Sequence, residues 1–207
     1  MSVITDAVLL AFSLSTDTFA ASLSYGTNRI KIPWNSILVI GGICSGTLGL
    51  SMLFGDWISK VLTFSFANQI CFILLFSLGI LKLFDSSIKS FIRRHSQIYL
   101  KFTASDLNFV LTVYADAPRA DIDNSKVLTW TEALWLASAL SIDSIAIGFG
   151  AAFSDIPIVV PTIISFFVTL LAILLGHKIG EKIVNYISID FSWLSGALLI
   201  VLAFMKL

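Results

Sequence analysis

Six apolar windows, each interpreted as a membrane-spanning helix, constrain the fold of this chain more than any other feature. About 20 apolar residues in a helix span the roughly 30 Å of hydrocarbon, and only helices and closed barrels satisfy their backbone polar groups there. The composition agrees, with 57% hydrophobic and 13% charged residues among 207 and a mean hydropathy of +0.94. We therefore predict an all-α polytopic membrane protein with six transmembrane helices. The windows lie at 6–26, 36–56, 66–84, 132–153, 157–176 and 192–206.

The first and fourth windows resemble each other closely, which indicates an internal repeat. TDAVLLAFSLSTDTFAASLSYG from Thr5 matches TEALWLASALSIDSIAIGFGAA from Thr131 at a constant offset of 126 residues. More weakly, the end of window two (53–60) resembles the end of window five (174–182). With three helices in each half, the second half must insert upside down relative to the first. We predict two inverted three-helix repeats, 1–84 and 132–207, joined by a central loop at 85–131.

Asp17 and Asp143 occupy equivalent positions near the middle of their windows. A charged carboxylate there costs roughly 2.5 to 3.5 kcal/mol on insertion scales and is rarely kept without a role such as ion binding, proton relay or pairing. Inverted repeats place substrate sites near the midplane, where the halves meet, so the repeat axis would bring these two acids together.

The residues around these acids favour a hard cation. Carboxylates with nearby hydroxyls suit magnesium, calcium or manganese, and the absence of His and Cys near either acid along the sequence argues against zinc or copper. Without a metal, two carboxylates in one dry site should share a proton, which would couple metal release to proton uptake.

Several other residues are expected to serve packing or solvation. Glycine pairs with small-xxx-small spacing favour close helix packing on windows two and five. These pairs are Gly42 with Gly46 and Gly176 with Gly180. Packing alone is the alternative explanation for the small residues beside the two acids. Asp6 and Glu132, which the repeat also pairs, are expected to be solvated at span ends. No chemistry is predicted for Cys44 and Cys71, and a surface role is predicted for His95 and His177.

The basic residues predict the orientation, because cytoplasmic loops carry an excess of Lys and Arg. If both termini face outside, eleven basic residues lie on the inner side and two on the outer side. The inner residues are Arg29, Lys31, Lys82, Lys89, Arg93, Arg94, Lys101, Arg119, Lys126, Lys178 and Lys182, and the outer ones are Lys60 and Lys206. We therefore predict external termini and a cytoplasmic central loop. The first window is expected to be a retained span, since no basic region precedes it.

The central loop contains the spacing of an EF-hand calcium loop at 121–132. Positions 1, 3, 5, 7, 9 and 12 are Asp121, Asp123, Ser125, Val127 (through its carbonyl), Thr129 and Glu132. Lys126 replaces the glycine that position 6 uses for positive φ, and no clear entering helix precedes Asp121. The alternative is a polar linker whose acids stabilise the start of the fourth helix through its dipole.

LLAFSLSTDTFAAS (9–22) and SALSIDSIAIGFGAAF (138–153) resemble the paired signature helices of the MntP-type manganese efflux pump family, within the lysine-exporter-like superfamily. The resemblance implies a six-helix transporter with Asp17 and Asp143 as metal-site residues, and with Ser15 and Ser141 in the same motifs. The efflux pumps carry an acid on span two, whereas this chain has Ser45 or Gly46 at the matching place. The loop YADAPRADIDNSKVLTWTEAL (114–134) resembles the sporulation membrane protein branch of the family, the YtaF type.

These observations predict secondary transport of a divalent cation, with efflux of manganese favoured. The alternative is a non-transporting membrane scaffold of sporulation, favoured by loss of the span-two acid and opposed by retention of both midplane acids. No nucleophile, triad or phosphate-binding loop argues for an enzyme, and no permanently bound cofactor is predicted. The expected partners are the lipid bilayer and divalent cations, not nucleic acid, and homo-oligomerisation is left open.

Overall fold

The computed structural model describes residues 3–59, 64–84, 109–110, 112–114, 116–152, 156–182, 200 and 204. In this part of the chain the structure is helical, without β-strands. Five long helices are present, and a 3-10 turn precedes the fourth. They are α1 (Val3–Thr27), α2 (Trp34–Ser59), α3 (Phe64–Leu83), the turn Ala117–Ala120, α4 (Trp130–Ala151) and α5 (Val159–Lys182).

Four of these helices are long and apolar enough to cross a membrane: Thr5–Thr27, Trp34–Ile58, Trp130–Ala151 and Val159–Lys182. They coincide with windows one, two, four and five, so the all-helical class is confirmed. Window three falls on α3. The apolar stretch of α3, Phe72–Leu81, is shorter than the four membrane-length helices. Window six lies outside the described residues except for positions 200 and 204.

Exposed tryptophans mark the two ends of the helix bundle. Trp34 at the start of α2 and Trp130 at the start of α4 are 65% and 63% exposed, and Trp57 near the other end of α2 is 68% exposed. Tryptophan is enriched where hydrocarbon meets the headgroups. Trp34 and Trp57 are separated by about 35 Å along a helix, which fits a hydrocarbon layer of about 30 Å.

Helices α1 and α5 form the most extensive pair, and glycines allow their close approach. A Cβ at Gly176 would lie 2.7 Å from the Phe19 carbonyl oxygen and 3.1 Å from the Ser22 Cβ. One turn later, a Cβ at Gly180 would overlap the Leu23 carbonyl oxygen. Since the contacts advance together along both helices, α1 and α5 run parallel.

The second extensive pair is α2 with α4, and its contacts follow the same pattern. Ser51 Oγ donates a hydrogen bond of 2.6 Å to the Ile145 carbonyl, and a Cβ at Gly148 would lie 3.1 Å from the Ser51 Cβ. One turn later, a Cβ at Gly55 would lie 3.1 Å from the Phe149 carbonyl oxygen. This pair also runs parallel.

The residues in these two interfaces correspond one to one. The α1 positions match the α4 positions at an offset of 126, and the α2 positions match the α5 positions at an offset of 125. The correspondences are Phe19 with Ile145, Ser22 with Gly148, Leu23 with Phe149, Ser51 with Gly176 and Gly55 with Gly180.

The glycine expectation holds for one helix and fails for the other. Gly176 and Gly180 pack against α1 as expected. In contrast, Gly42 and Gly46 are exposed, and a Cβ at either would meet nothing within 4 Å. Periodicity alone could not separate the two cases, because a lipid-facing glycine stripe has the same spacing as a packed one.

Two apolar clusters fill the bundle. The far-side cluster joins α1, α2 and α4 toward the end opposite the central loop and contains Leu10, Leu14, Leu48, Met52, Ile147 and Ala151. The loop-side cluster includes central-loop residues and contains Tyr25, Ile30, Ile37, Ile40, Cys44, Val113, Ala120, Leu128, Ala133, Leu136, Ala137, Ala139 and Ile173. Along both α1 and α4, the midspan aspartates lie between the two clusters.

Candidate functional site

Asp17 is a buried carboxylate in the middle of α1, with 5% of its surface exposed. Buried hydroxyl residues surround it in sequence, namely Ser13, Ser15, Thr16 and Thr18. The Ser15 and Thr16 hydroxyls donate to the Phe12 carbonyl at 3.0 and 2.8 Å. Because the hydroxyl protons are used inside the helix, the oxygen lone pairs remain available to accept from a donor or to bind a cation.

Asp143 is half-buried in the middle of α4. Ser141 is buried, and its hydroxyl donates to the Ala137 carbonyl one turn earlier. Helices α1 and α4 contact each other, although less extensively than the pairs α1 with α5 and α2 with α4. The meeting of Asp17 with Asp143 at the repeat axis stays a prediction.

Cys44 of α2 is a neighbour of this region that the sequence interpretation missed. Its buried thiol lies within hydrogen-bonding reach of the Ser141 hydroxyl and within electrostatic range of Asp143. Cys44 lies one and two residues before Ser45 and Gly46, the positions at which the family resemblance places the span-two acid. Its nearness to these two positions is the only sequence signal for Cys44. The sequence does not give the rotation of α2, so it could not show that Cys44 is the residue that faces α4.

The central loop brings together three of the six predicted calcium ligands. One carboxylate oxygen from each of Asp121, Asp123 and Glu132 lies within 4.8 Å of the others. Lys126 has a φ of 59°, so position 6 adopts the left-handed conformation although it is not glycine. The 3-10 turn Ala117–Ala120 directly precedes Asp121 in place of an entering helix.

The other three predicted ligands are used within the loop. Ser125 Oγ donates to the Val127 carbonyl at 3.0 Å, and the Ser125 backbone N–H donates to Asp121 and Asp123 at 3.1 and 2.9 Å. Thr129 is the N-cap of α4 and forms a capping box with Glu132. The loop's own hydrogen bonds therefore help to define its shape.

Asp6 and Glu132 are both buried, at 7% and 4% exposure, so the expectation of solvated span ends is wrong. Glu132 accepts hydrogen bonds from the backbone N–H groups of Ile122 at 2.7 Å and Thr129 at 2.9 Å. It also contacts the Thr129 hydroxyl at 2.7 Å. These donors compensate for the burial of this carboxylate. The Thr129 donor belongs to the local capping box, whereas a local pattern does not show the Ile122 donor ten residues away.

Two of the loop acids have pKa values that their surroundings shift in opposite directions. Burial, the hydrogen bond with Asp123 and the negative charge of Glu132 raise the pKa of Asp121, against the opposing effect of the Lys126 backbone N–H. Contact with the Ser125 hydroxyl and a hydrogen bond from the Ser125 backbone N–H lower the pKa of Asp123. A cation at this cluster would compete with a proton mainly at Asp121.

His177 is largely buried rather than on the surface. Its side chain is 18% exposed, and its Nε2 lies 2.9 Å from the Ile30 carbonyl oxygen. This contact joins α5 to the turn between α1 and α2. His95 lies outside the described residues.

Comparisons with known proteins agree with the signature helices. The family described as "Putative manganese efflux pump" matches residues 50–207. The chain is 29% identical to the "Probable sporulation protein YtaF" of Bacillus subtilis, covering 97% of each chain. It is 30% identical to the "Putative manganese efflux pump MntP" of Methanosphaera stadtmanae, covering 95% of this chain and 94% of that one.

A protein of the same name from Clostridium perfringens is 28% identical, over 88% of this chain and 85% of the relative. No solved structure matches the chain significantly. The family match covers more than half of the chain, and these relatives align with nearly all or most of it. The chain is therefore a member of the MntP-type manganese efflux pump family.

Proposed function

We propose that this protein carries a divalent cation, with manganese favoured, out of the cell through a site centred on Asp17 and Asp143. The observation that carries the proposal is the burial of Asp17 midway along a membrane-length helix, between two apolar clusters. An ionisable residue there is expensive and is typical of ion pathways. Membership of the efflux pump family favours manganese and the outward direction.

The matched helix pairs support an inverted repeat. α1 is equivalent to α4, and α2 is equivalent to α5. Equivalent residues therefore form the α1–α5 interface and the α4–α2 interface. Because α4 and α5 are joined by a short connection, successive spans run in opposite directions. Since α1 is parallel to α5, it is then antiparallel to α4. This is the relation expected of two halves inserted in opposite orientations around a midplane site.

The charges favour a cytoplasmic central loop. Every described Lys and Arg side chain lies at the loop end of the helices or in the loop itself. These residues are Arg29, Lys31, Arg119, Lys126, Lys178 and Lys182. By the positive-inside rule this end faces the cytoplasm, and the start of α1 then faces outside.

Proton exchange gives the site a way to release its cargo. A divalent cation between two carboxylates neutralises them, and hydroxyls such as those of Ser15 and Ser141 can complete an oxygen-rich shell. When the cation leaves, protonation of one acid avoids two unpaired charges in a dry site. Manganese efflux would then be coupled to proton entry.

Flux measurements in proteoliposomes test the proposal. We expect manganese flux under a proton gradient in the parent and flux at the level of empty vesicles in Asp17→Asn and Asp143→Asn. Glu181→Gln removes a carboxylate that is 53% exposed at the loop end of α5 and should transport like the parent. Equal flux in the parent and both Asp variants would contradict a site at these acids.

A sporulation scaffold is the second candidate, favoured by the name of the Bacillus subtilis relative. The α2 stretch with Cys44, Ser45 and Gly46 also lacks the acid that the family resemblance leads one to expect. Absence of manganese, magnesium and calcium flux in the parent would favour this candidate.

A further inference from the structure

The segment 116–129, here called the strap, connects the loop-side ends of the helices. The Tyr25 hydroxyl of α1 donates to the Ala117 carbonyl at 2.7 Å. The Ser36 hydroxyl of α2 donates to the Leu128 carbonyl at 2.7 Å. Glu132 of α4 accepts from the Ile122 backbone N–H. Three separate spans are thus fastened to one short segment.

The strap is also paired with the turn between α1 and α2. Lys31 and Val127 form an isolated parallel β-bridge. The Lys31 N–H donates to the Lys126 carbonyl at 2.8 Å, and the Leu128 N–H donates to the Lys31 carbonyl at 2.9 Å. The His177 contact with the Ile30 carbonyl adds α5 to the same junction.

Side chains of the strap complete the apolar cluster between the aspartates and the loop-side solution. Leu128 and Ala120 are 0% exposed and pack with Tyr25, Ile37 and Leu136. The buried residues of the far-side cluster come from α1, α2 and α4, and side chains of α3 pack against them. Among the described residues, the two ends of the proposed path therefore differ, because only the loop-side cluster includes buried residues of the strap.

We infer that the strap is the loop-side gate of the transport path, and that its release opens the path from the midspan aspartates to the cytoplasmic solution. This inference rests on the proposed function. An ion cannot pass a dry apolar cluster that contains the Leu128 side chain. Leu128 cannot leave the cluster without breaking the hydrogen bond from its N–H to the Lys31 carbonyl and the hydrogen bond that its carbonyl accepts from Ser36. Opening and detachment of the strap are thus one event.

The thiol of Cys44 reports this event without any need for transport. It is 5% exposed, belongs to the loop-side cluster and lies beside Ser141. In a Cys71→Ser background, a membrane-impermeant maleimide applied to inside-out vesicles should label Cys44 slowly. Leu128→Ala should raise the labelling rate about tenfold or more, because removing a buried leucine side chain favours the open state.

Ile122→Ala is the matched control, since Ile122 lies on the strap but is 57% exposed. It should label at the parent rate. If Cys44 in Leu128→Ala is labelled at the parent rate, or if Leu128→Ala and Ile122→Ala raise the labelling rate equally, the gate proposal is wrong.

A reversible lock provides a second test on a protein with an intact cluster. Lys31→Cys with Val127→Cys, made with Cys44→Ala and Cys71→Ser, places two cysteines at the β-bridge, where neighbouring strands lie about 4.8 Å apart, within disulfide range. Oxidation should lower manganese flux about tenfold or more relative to the same protein after reduction. Unchanged flux on oxidation would overturn the gate, whereas no flux in either state, with Cys44 labelling still raised by Leu128→Ala, would reject transport and leave the strap as the movable element.

Discussion

Glu132 binds two backbone N–H groups and a hydroxyl, and so helps to fold the central loop whether or not an ion is present. Its removal would leave buried donors unpaired, at a cost of about 1 to 3 kcal/mol for each such group. A loss of calcium response in a Glu132 variant could therefore reflect unfolding of the loop. Asp123 is exposed and is the better residue for a test of cation binding.

If 121–132 binds calcium, Asp123→Asn should reduce the calcium-dependent increase in melting temperature of the detergent-solubilised protein. Asp116→Asn removes an acid outside the carboxylate cluster, which is paired with Arg119 at 3.1 Å, and should respond to calcium like the parent. The absence of any calcium-dependent increase in the parent would reject calcium binding by the loop.

The same calcium response should weaken as the pH falls. The pKa of Asp121 is raised, so this group begins to take up a proton at a higher pH than an ordinary aspartate and then competes with the cation. Because the pKa of Asp121 is raised in the folded state, the ionisation of this group as the pH rises through that pKa lowers the stability of the fold without calcium. Melting curves with and without calcium, taken as the pH is lowered toward the ordinary Asp pKa of about 4, measure both effects. A response that grows on acidification would contradict cation binding at Asp121.

At the scale of helices, stability depends on which glycines meet a partner. A Cβ at Gly180 would overlap the Leu23 carbonyl oxygen, a backbone atom that cannot move aside alone, whereas Gly42 is exposed. Gly180→Ala should destabilise the protein by about 1 to 3 kcal/mol through overpacking. Gly42→Ala should be neutral or stabilising by up to about 1 kcal/mol. Thermal unfolding in detergent should give a lower midpoint for Gly180→Ala and an equal or higher midpoint for Gly42→Ala. An unchanged midpoint for Gly180→Ala would contradict the close α1–α5 packing.

The helices could be predicted from the sequence because hydropathy over 20 residues is a local property. Windows one, two, four and five became helices with nearly the expected bounds. Contacts could not be predicted in the same way, because they depend on helix rotation and partner. Cys44 facing Ser141 and Gly42 facing outward are both of this kind. The burial of Glu132 was missed for a different reason, because the N–H groups that compensate for it belong to a folded loop.

For the whole molecule, we expect the two parallel helix pairs to move as rigid units and the strap to connect them. The pairs α1–α5 and α2–α4 have small residues at their interfaces and little side chain to rearrange, so each can move as a rigid unit. The strap joins both units, through Tyr25 of the α1–α5 pair and through Ser36 and Glu132 of the α2–α4 pair. Movement of one pair against the other would therefore strain the strap before it disturbs either interface.

The orientation of this assembly has a direct consequence for labelling. Ser59 ends α2 at the side opposite the strap, and Ser125 is exposed on the strap. In intact cells carrying a protein with Cys44→Ala and Cys71→Ser, Ser59→Cys should react with an impermeant maleimide, and Ser125→Cys should react only after permeabilisation. The physical reason is the cluster of positive side chains at the strap end, which favours the cytoplasm. The reverse pattern would refute the orientation, and labelling of both positions from one side would refute the membrane crossing of α2.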